Sequence, residues 1–205
     1  MTHLNLTLKE SGPENLLFKK AETEAENQGI YRSRLKICRE DFPYILNFKS
    51  KFPAKDQYDD YSTLFYATLN NKIVASCRIT PFFNNEWEIS KNLPPNLKLN
   101  LNPHNTVQLN RVYLEKEYRN QSLHEFMFYH FSEWVLENTH YTEYFAICNA
   151  GLVRLYKKIG AVLGQEEGFR LDGRGEHQYY FVKGNIKEFN YIIKSNILND
   201  DTCNS

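Results

Sequence analysis

Two strand-rich runs meet at a pair of asparagines, and that junction constrains the fold more than any other feature of the chain. Residues 61–69 (YSTLFYATL) and 72–80 (KIVASCRIT) are rich in β-branched and aromatic side chains. Asn70-Asn71 between them tolerates the positive φ that a two-residue hairpin demands. An antiparallel pair is therefore expected early in the chain, and the residues after it alternate helix with strand.

Residues 16–20 (LLFKK) predict a strand ahead of the hairpin. Thr23, with Glu26 three positions on, has the form of a capping box. Ile30, Tyr31, Arg34, Leu35 and Cys38 then fall at helical spacing, so a helix is expected to about residue 40. Phe42-Pro43 ends it, because the residue before proline avoids the helical region. Residues 81–104 read as loop with a short helix around 87–93, and 106–114 (TVQLNRVYL) as a strand. Phe126, Met127, His130, Trp134 and Val135 mark one face of a helix over 123–138. After it come a short strand at 144–148, a helix over 152–159 stopped by Gly160, and a strand starting at 161–164. Residues 164–175 are turn-rich, 178–182 a last strand and 186–197 a terminal helix. Without repeats or a linker, one α/β domain over 14–198 is expected, between a flexible 1–13 and a fraying 199–205. Its interleaved elements predict a mixed sheet with helices on both faces.

The 25 basic and 25 acidic residues cancel, so no basic surface points to nucleic acid or an anionic membrane. Hydrophobic residues at 41% suffice for a core, yet no run approaches a membrane span, and the polar start lacks a signal-peptide layout. Cys38, Cys77, Cys148 and Cys203 form no CxxC pair, which suits a reducing cytoplasm better than a disulfide framework. His124 and His130 are not at metal-ligand spacing, so no metal is assigned.

Two segments carry chemistry. Asn149-Ala-Gly-Leu-Val-Arg-Leu-Tyr156-Lys-Lys-Ile-Gly160-Ala161 resembles the last motif of the GNAT acyltransferases. That resemblance implies a GNAT fold with splayed central parallel strands, Asn149 on the pantetheine arm of an acyl donor, and Tyr156 protonating the departing thiolate. A positioned O–H facing the developing charge on sulfur is what such a step needs. Packing of Tyr156 between helix and sheet is the alternative reading of the same residue.

Asp56-Gln-Tyr-Asp59, then Ala75-Ser-Cys-Arg78-Ile-Thr-Pro81, then Gln108-Leu-Asn-Arg111-Val-Tyr-Leu resemble three blocks, in order, of the acyl-homoserine-lactone (autoinducer) synthases and related N-acyl amino acid synthases. Arg34 matches an arginine those enzymes carry on the first helix. The resemblance runs from about residue 16 to 182. It implies that Arg34, Asp56, Asp59, Arg78 and Arg111 line or brace the acceptor pocket. The same five residues also suit an ion-pair network holding the first helix to the sheet, and the two roles are compatible. Three positions depart from the pattern. Gln108 replaces a glutamate, Asn110 a serine, and Tyr113 lies near a position that is often smaller. Glutamine accepts a hydrogen bond but takes no proton at neutral pH. The amine therefore arrives neutral or loses its proton through water.

In acetyl-CoA-using relatives a glycine-rich loop after the central strand cradles the pyrophosphate. Here it reads Arg119-Asn-Gln121-Ser122-Leu123-His124, with the arginine but without the glycines. A looser cradle favours an acyl-phosphopantetheine donor on an acyl carrier protein, with acyl-CoA as the other source. Val112, Tyr113, Leu114, Arg119, Gln121, Ser122, Leu123 and Asn149 are the candidate donor contacts, and Tyr156, Gln108 and Asn110 the candidate catalytic set. The expected activity is N-acyl transfer, with a long-chain acyl group favoured, onto the amine of an amino acid or related small molecule. Acetyl-CoA-dependent acetylation, lipidation of a peptide or protein, and carrier binding without turnover are the alternatives.

Overall fold

The computed structural model describes residues 15–46, 55–119 and 123–202. Expectations for residues 1–13, Gln121, Ser122 and Cys203 lie outside them. Along the chain the elements are β1 (Leu16–Lys20), α1 (Glu24–Asp41), β2 (Thr63–Leu69), β3 (Lys72–Pro81), β4 (Thr106–Leu114) and α2 (Leu123–Asn138). They continue with β5 (Glu143–Asn149), α3 (Ala150–Lys158), β6 (Val162–Leu163), β7 (Phe169–Arg170), β8 (Gln178–Asn185) and α4 (Ile186–Thr202). The strands form one mixed sheet in the order β1-β2-β3-β4-β5-β8-β6, with β7 also on β8.

Asn70 and Asn71 take φ of 50° and 64° and join β2 to β3 antiparallel, as their chemistry requires. The Thr23 hydroxyl accepts from the Glu26 N–H at 3.2 Å while the Glu26 carboxylate accepts from the Thr23 N–H at 2.9 Å, which completes the capping box. Thr23→Ala removes half of it and is expected to cost about 1 kcal/mol, read as a lower urea midpoint at unchanged slope.

Four segments differ from expectation. β2 starts at Thr63 because Asp59–Tyr61 is drawn into a 3-10 turn, with Asp59 Oδ2 accepting from the Asp56 N–H at 2.9 Å. The helix expected near residue 90 is a 3-10 turn, Ser90–Asn92, and Pro94-Pro95 block its extension. The turn-rich segment contains the two-residue β7, and α4 is continuous to Thr202, past the point where fraying was expected.

Alternation along the strands sorts the side chains between two faces. Phe65, Ala67, Cys77, Ile79, Val107, Leu109, Tyr144, Ala146 and Cys148 pack with α2, α3 and α4 in the largest core cluster. On the other face Leu64 and Tyr66 meet Ile30 and Tyr31 of α1, and Tyr113 meets Ile37 and Cys38. Farther along that face Trp87 packs on Phe145 and Phe181.

β4 and β5 are parallel, but they pair only over Thr106–Gln108 against Glu143–Phe145. Past Gln108 they separate. The cause lies on the other edge of β4, where Asn110 faces Arg78 and Tyr113 faces Ser76, so Arg111 and Val112 together oppose Cys77. Arg111 takes φ of 51°, a left-handed conformation that costs a non-glycine residue roughly 1–2 kcal/mol. This bulge bends β4 away from β5 and opens the central gap of the sheet.

Candidate active site

The bulge is held by charge. Arg111 Nη2 donates to Asp56 Oδ2 at 2.6 Å and to Glu88 Oε1 at 3.2 Å. Arg78, wholly buried on β3, donates from Nε to Asn110 Oδ1 at 2.9 Å, from Nη1 to Asp56 Oδ1 at 2.7 Å and from Nη2 to Glu88 Oε1 at 3.2 Å. Its Nη1 also lies 2.9 Å from Asp59 Oδ1, which accepts from Arg34 Nη1 of α1 at 3.1 Å. Arg34, Asp56, Asp59, Arg78 and Arg111 are thus one network, as the sequence suggests. Three guanidinium groups face three carboxylates.

Burial alone would raise the Asp56 pKa, but the Arg78 and Arg111 guanidiniums pull it below its ordinary value of 3.8. Burial alone would lower that of Arg111, yet the Glu88 and Asp56 carboxylates hold it raised. Because the Asp56 pKa is depressed on folding, the unfolded chain takes up its proton first as pH falls. Its contribution to stability is complete well above pH 3.8 and is lost on descent below it. Urea unfolding from pH 7 to 3 is therefore expected to show a flat midpoint above about pH 5 and a steep fall beneath.

Glu88 was not picked out from the sequence. It sits in the β3–β4 connection between buried Trp87 and Ile89, and an acid flanked by two apolar residues in a proline-bearing loop is its only signal in the sequence. Its Oε2 accepts from Gln108 Nε2 at 2.9 Å and, more weakly, from Asn110 Nδ2 at 3.4 Å. Asn110 Nδ2 has a nearer partner in Thr80 Oγ1 at 3.1 Å. Gln108 is the last β4 residue paired with β5, so it stands at the apex of the gap. A shallow depression of about 540 Å³, lined by Lys55, Asp56, Gln57, Tyr58 and Asp60, opens beside the network.

Asn149 and Tyr156 come from β5 and α3, across the gap from the network. Asn149 ends β5 and precedes α3, but its side chain makes no capping hydrogen bond. Tyr156 is buried in the large cluster, its ring 6.0 Å from that of Phe128. Burial, with the nearby Cys148, Tyr144 and Cys77 side chains, raises its pKa well above the ordinary value of 10.0. Gly160, at φ 88°, lets the Ala161 N–H reach the Tyr156 carbonyl at 3.0 Å and the Gly160 N–H reach the Lys157 carbonyl at 3.3 Å. This pair of hydrogen bonds closes α3 directly behind Tyr156.

Tyr156 lies on the face of the sheet covered by α2, α3 and α4, the network lies on the α1 face, and Asn149, opposite Tyr179 of β8, ends β5 on the network's face. The gap between β4 and β5 connects the two faces. Among the donor-site candidates, Val112 and Leu114 are partly buried along that gap, while Tyr113 packs against Ile37 and Cys38. Leu123 is buried at the start of α2. Arg119 is engaged within the protein: its Nε and Nη2 each donate to the Leu114 carbonyl at 3.1 Å, Nη2 also pairs with Asp41, and its guanidinium lies over Phe42. It ties the end of α1 to the end of β4.

The acetyltransferase (GNAT) family model matches residues 30–161. This chain belongs to the GNAT family. No curated protein matches this GNAT chain by sequence. Among solved structures it is similar to BjaI, a CoA-dependent acyl-homoserine lactone synthase with SAM and isopentyl-CoA, at TM-score 0.68 and 14% identity over 85% of this chain and 83% of that one. It is similar to MesI, another CoA-dependent acyl-homoserine lactone synthase, at TM-score 0.55 and 12% identity, over 88% of this chain and 95% of that one. Escherichia coli ElaA aligns at TM-score 0.59 and 12% identity, over 82% of this chain and 99% of that one. At these identities the likeness shows the fold. No helix among the described residues is long and apolar enough to cross a membrane.

Proposed function

We propose that this GNAT protein transfers an acyl group from a phosphopantetheine thioester to the amine of an amino acid or related small molecule. The observation that carries the reading is the gap past Gln108, with Asn149 and Tyr156 on one side and the charged network on the other. A thin pantetheine arm fits between separated strands, and its amides pair with backbone that β5 has left along 112–114. The thioester carbonyl then sits where an amine entering from the network face attacks it. A backbone N–H of the 112–114 segment receives the negative charge that grows on the carbonyl oxygen.

Tyr156 faces the leaving sulfur. Its raised pKa keeps the hydroxyl protonated. A thiol has a pKa of roughly 8.5, so full proton transfer from this tyrosine is uphill, and its part is a hydrogen bond to the developing thiolate. No covalent enzyme intermediate is involved, since the amine attacks the thioester directly. Cys77 and Cys148 are pushed up to about 12 by burial and stay thiols.

The donor is acyl-CoA or an acyl carrier protein, and the two share the arm that enters the gap. The loop without glycines favours the carrier. The CoA dependence of BjaI and MesI favours CoA. Thiol release measured with matched long-chain and acetyl thioesters of both kinds, with and without pooled amino acids, separates them. Amine-dependent release is the expected result. Release that no amine accelerates would sink the reading.

A further inference from the structure

Gln108 Oε1 is buried and has no hydrogen-bond partner. An orphaned buried acceptor is costly; in this network the other buried atoms without a partner are Arg34 Nε and Nη2, which are donors, so Gln108 Oε1 is its one orphaned acceptor among the described residues. The orientation of its amide is set by chemistry: Nε2 donates to Glu88 Oε2 at 2.9 Å, and a flip would bring two oxygens together. Glu88 therefore aims Gln108 Oε1 away from itself. Glu88 Oε2 retains room for a further donor, because its contact with Asn110 is long and Asn110 has Thr80 instead. An amide oxygen and a carboxylate oxygen, linked through the Gln108 Nε2 hydrogen bond, thus lie at the strand position that forms the apex of the gap, each able to accept an N–H.

We infer that Glu88 and Gln108 together form the acceptor cradle, which selects a primary amine by taking one N–H on Glu88 Oε2 and the second on Gln108 Oε1. This rests on the acyl-transfer reading and adds the residues that hold the acceptor amine. A neutral primary amine held by its two N–H bonds keeps its lone pair free for the thioester carbon. As the C–N bond forms, the nitrogen becomes cationic and acidic, and one proton passes to Glu88 Oε2 and on to solvent. The C–S bond breaks, and the thiolate takes a proton from solvent, so the proton lost by nitrogen balances the one gained by sulfur. A secondary amine has one N–H and would leave Gln108 Oε1 unpaired.

The pair also accounts for glutamine at position 108. A glutamate there would set a second carboxylate against Glu88 at 2.9 Å. The carboxylate is supplied by the loop, and the strand supplies the amide that orients against it. Glu88 Oε1 is fully used by Arg78 and Arg111, which fixes the direction in which Oε2 points.

The test combines kinetics with binding. In Glu88→Gln, kcat/KM for n-butylamine is expected to fall about 10- to 100-fold, the scale of one charge-assisted hydrogen bond. The preference for n-butylamine over N-methylbutylamine is expected to collapse, with donor KM unchanged. Gln108→Glu alone is expected to lose activity similarly, while the double exchange E88Q/Q108E, which swaps acid and amide, recovers most of it. Titration of the protein with n-butylamine, monitored through Trp87 fluorescence in a Trp134→Phe background and checked against a thermal melt of each variant, reads the cradle without turnover. Saturable binding in the parent and its loss in folded Glu88→Gln support the cradle. Equal binding and unchanged amine kinetics in that variant overturn it. If the parent binds the amine but acylates nothing, the acyl-transfer reading fails and the cradle stands.

Discussion

Tyr156→Phe is expected to slow acyl transfer about 10²- to 10³-fold while donor affinity stays within a few-fold of the parent. The exchange deletes one hydroxyl and keeps the ring that packs 6.0 Å from Phe128, so the core and α3 remain intact. The backbone of Tyr156 is fixed independently by the cap at Gly160. Loss of rate without loss of fold is then assigned to the O–H. Pre-steady-state thiol release is the appropriate measurement, since it reports C–S cleavage rather than product departure. An unchanged rate would assign Tyr156 to packing alone.

Arg78→Met is expected to destabilise the protein by about 3–5 kcal/mol, the cost of leaving buried carboxylates without their counter-charge. For a chain of this size each kcal/mol lowers Tm by about 2–4 °C, so a drop of roughly 6–20 °C should appear in calorimetry. The reason is geometric. Arg78 is wholly buried and touches Asp56, Asp59, Glu88 and Asn110, which come from the segment before β2, the β3–β4 loop and β4. Its removal strands polar groups from three separate segments at once. A Tm within 2 °C or so of the parent would mean that the network is solvated and contributes little, as exposed pairs do.

Much of this was legible because strong patterns decide strong elements. Strand β4 and helix α2 have the bounds expected from their sequences, 106–114 and 123–138, since each carries a long, unambiguous run. The cluster of arginines and aspartates was legible through the order of its blocks. The bulge at Arg111 was not, because a positive φ in an arginine is imposed by its partners rather than by its own preference. Glu88 escaped because a loop has no period to read, and its meaning depends on Gln108 and Asn110 meeting it from another strand. The place of Arg119 after the central strand suggests a donor contact, yet its fork closes on the Leu114 carbonyl and on Asp41, and the second pairing depends on the approach of α1.

The most direct measurement is the intact mass of the product formed when the protein is incubated with long-chain acyl carrier protein or acyl-CoA and pooled amines. An N-acyl amide in amounts equal to the thiol released is the expected result, with almost none from Tyr156→Phe. Binding of the thioester with no amide formed from any amine would contradict acyl transfer.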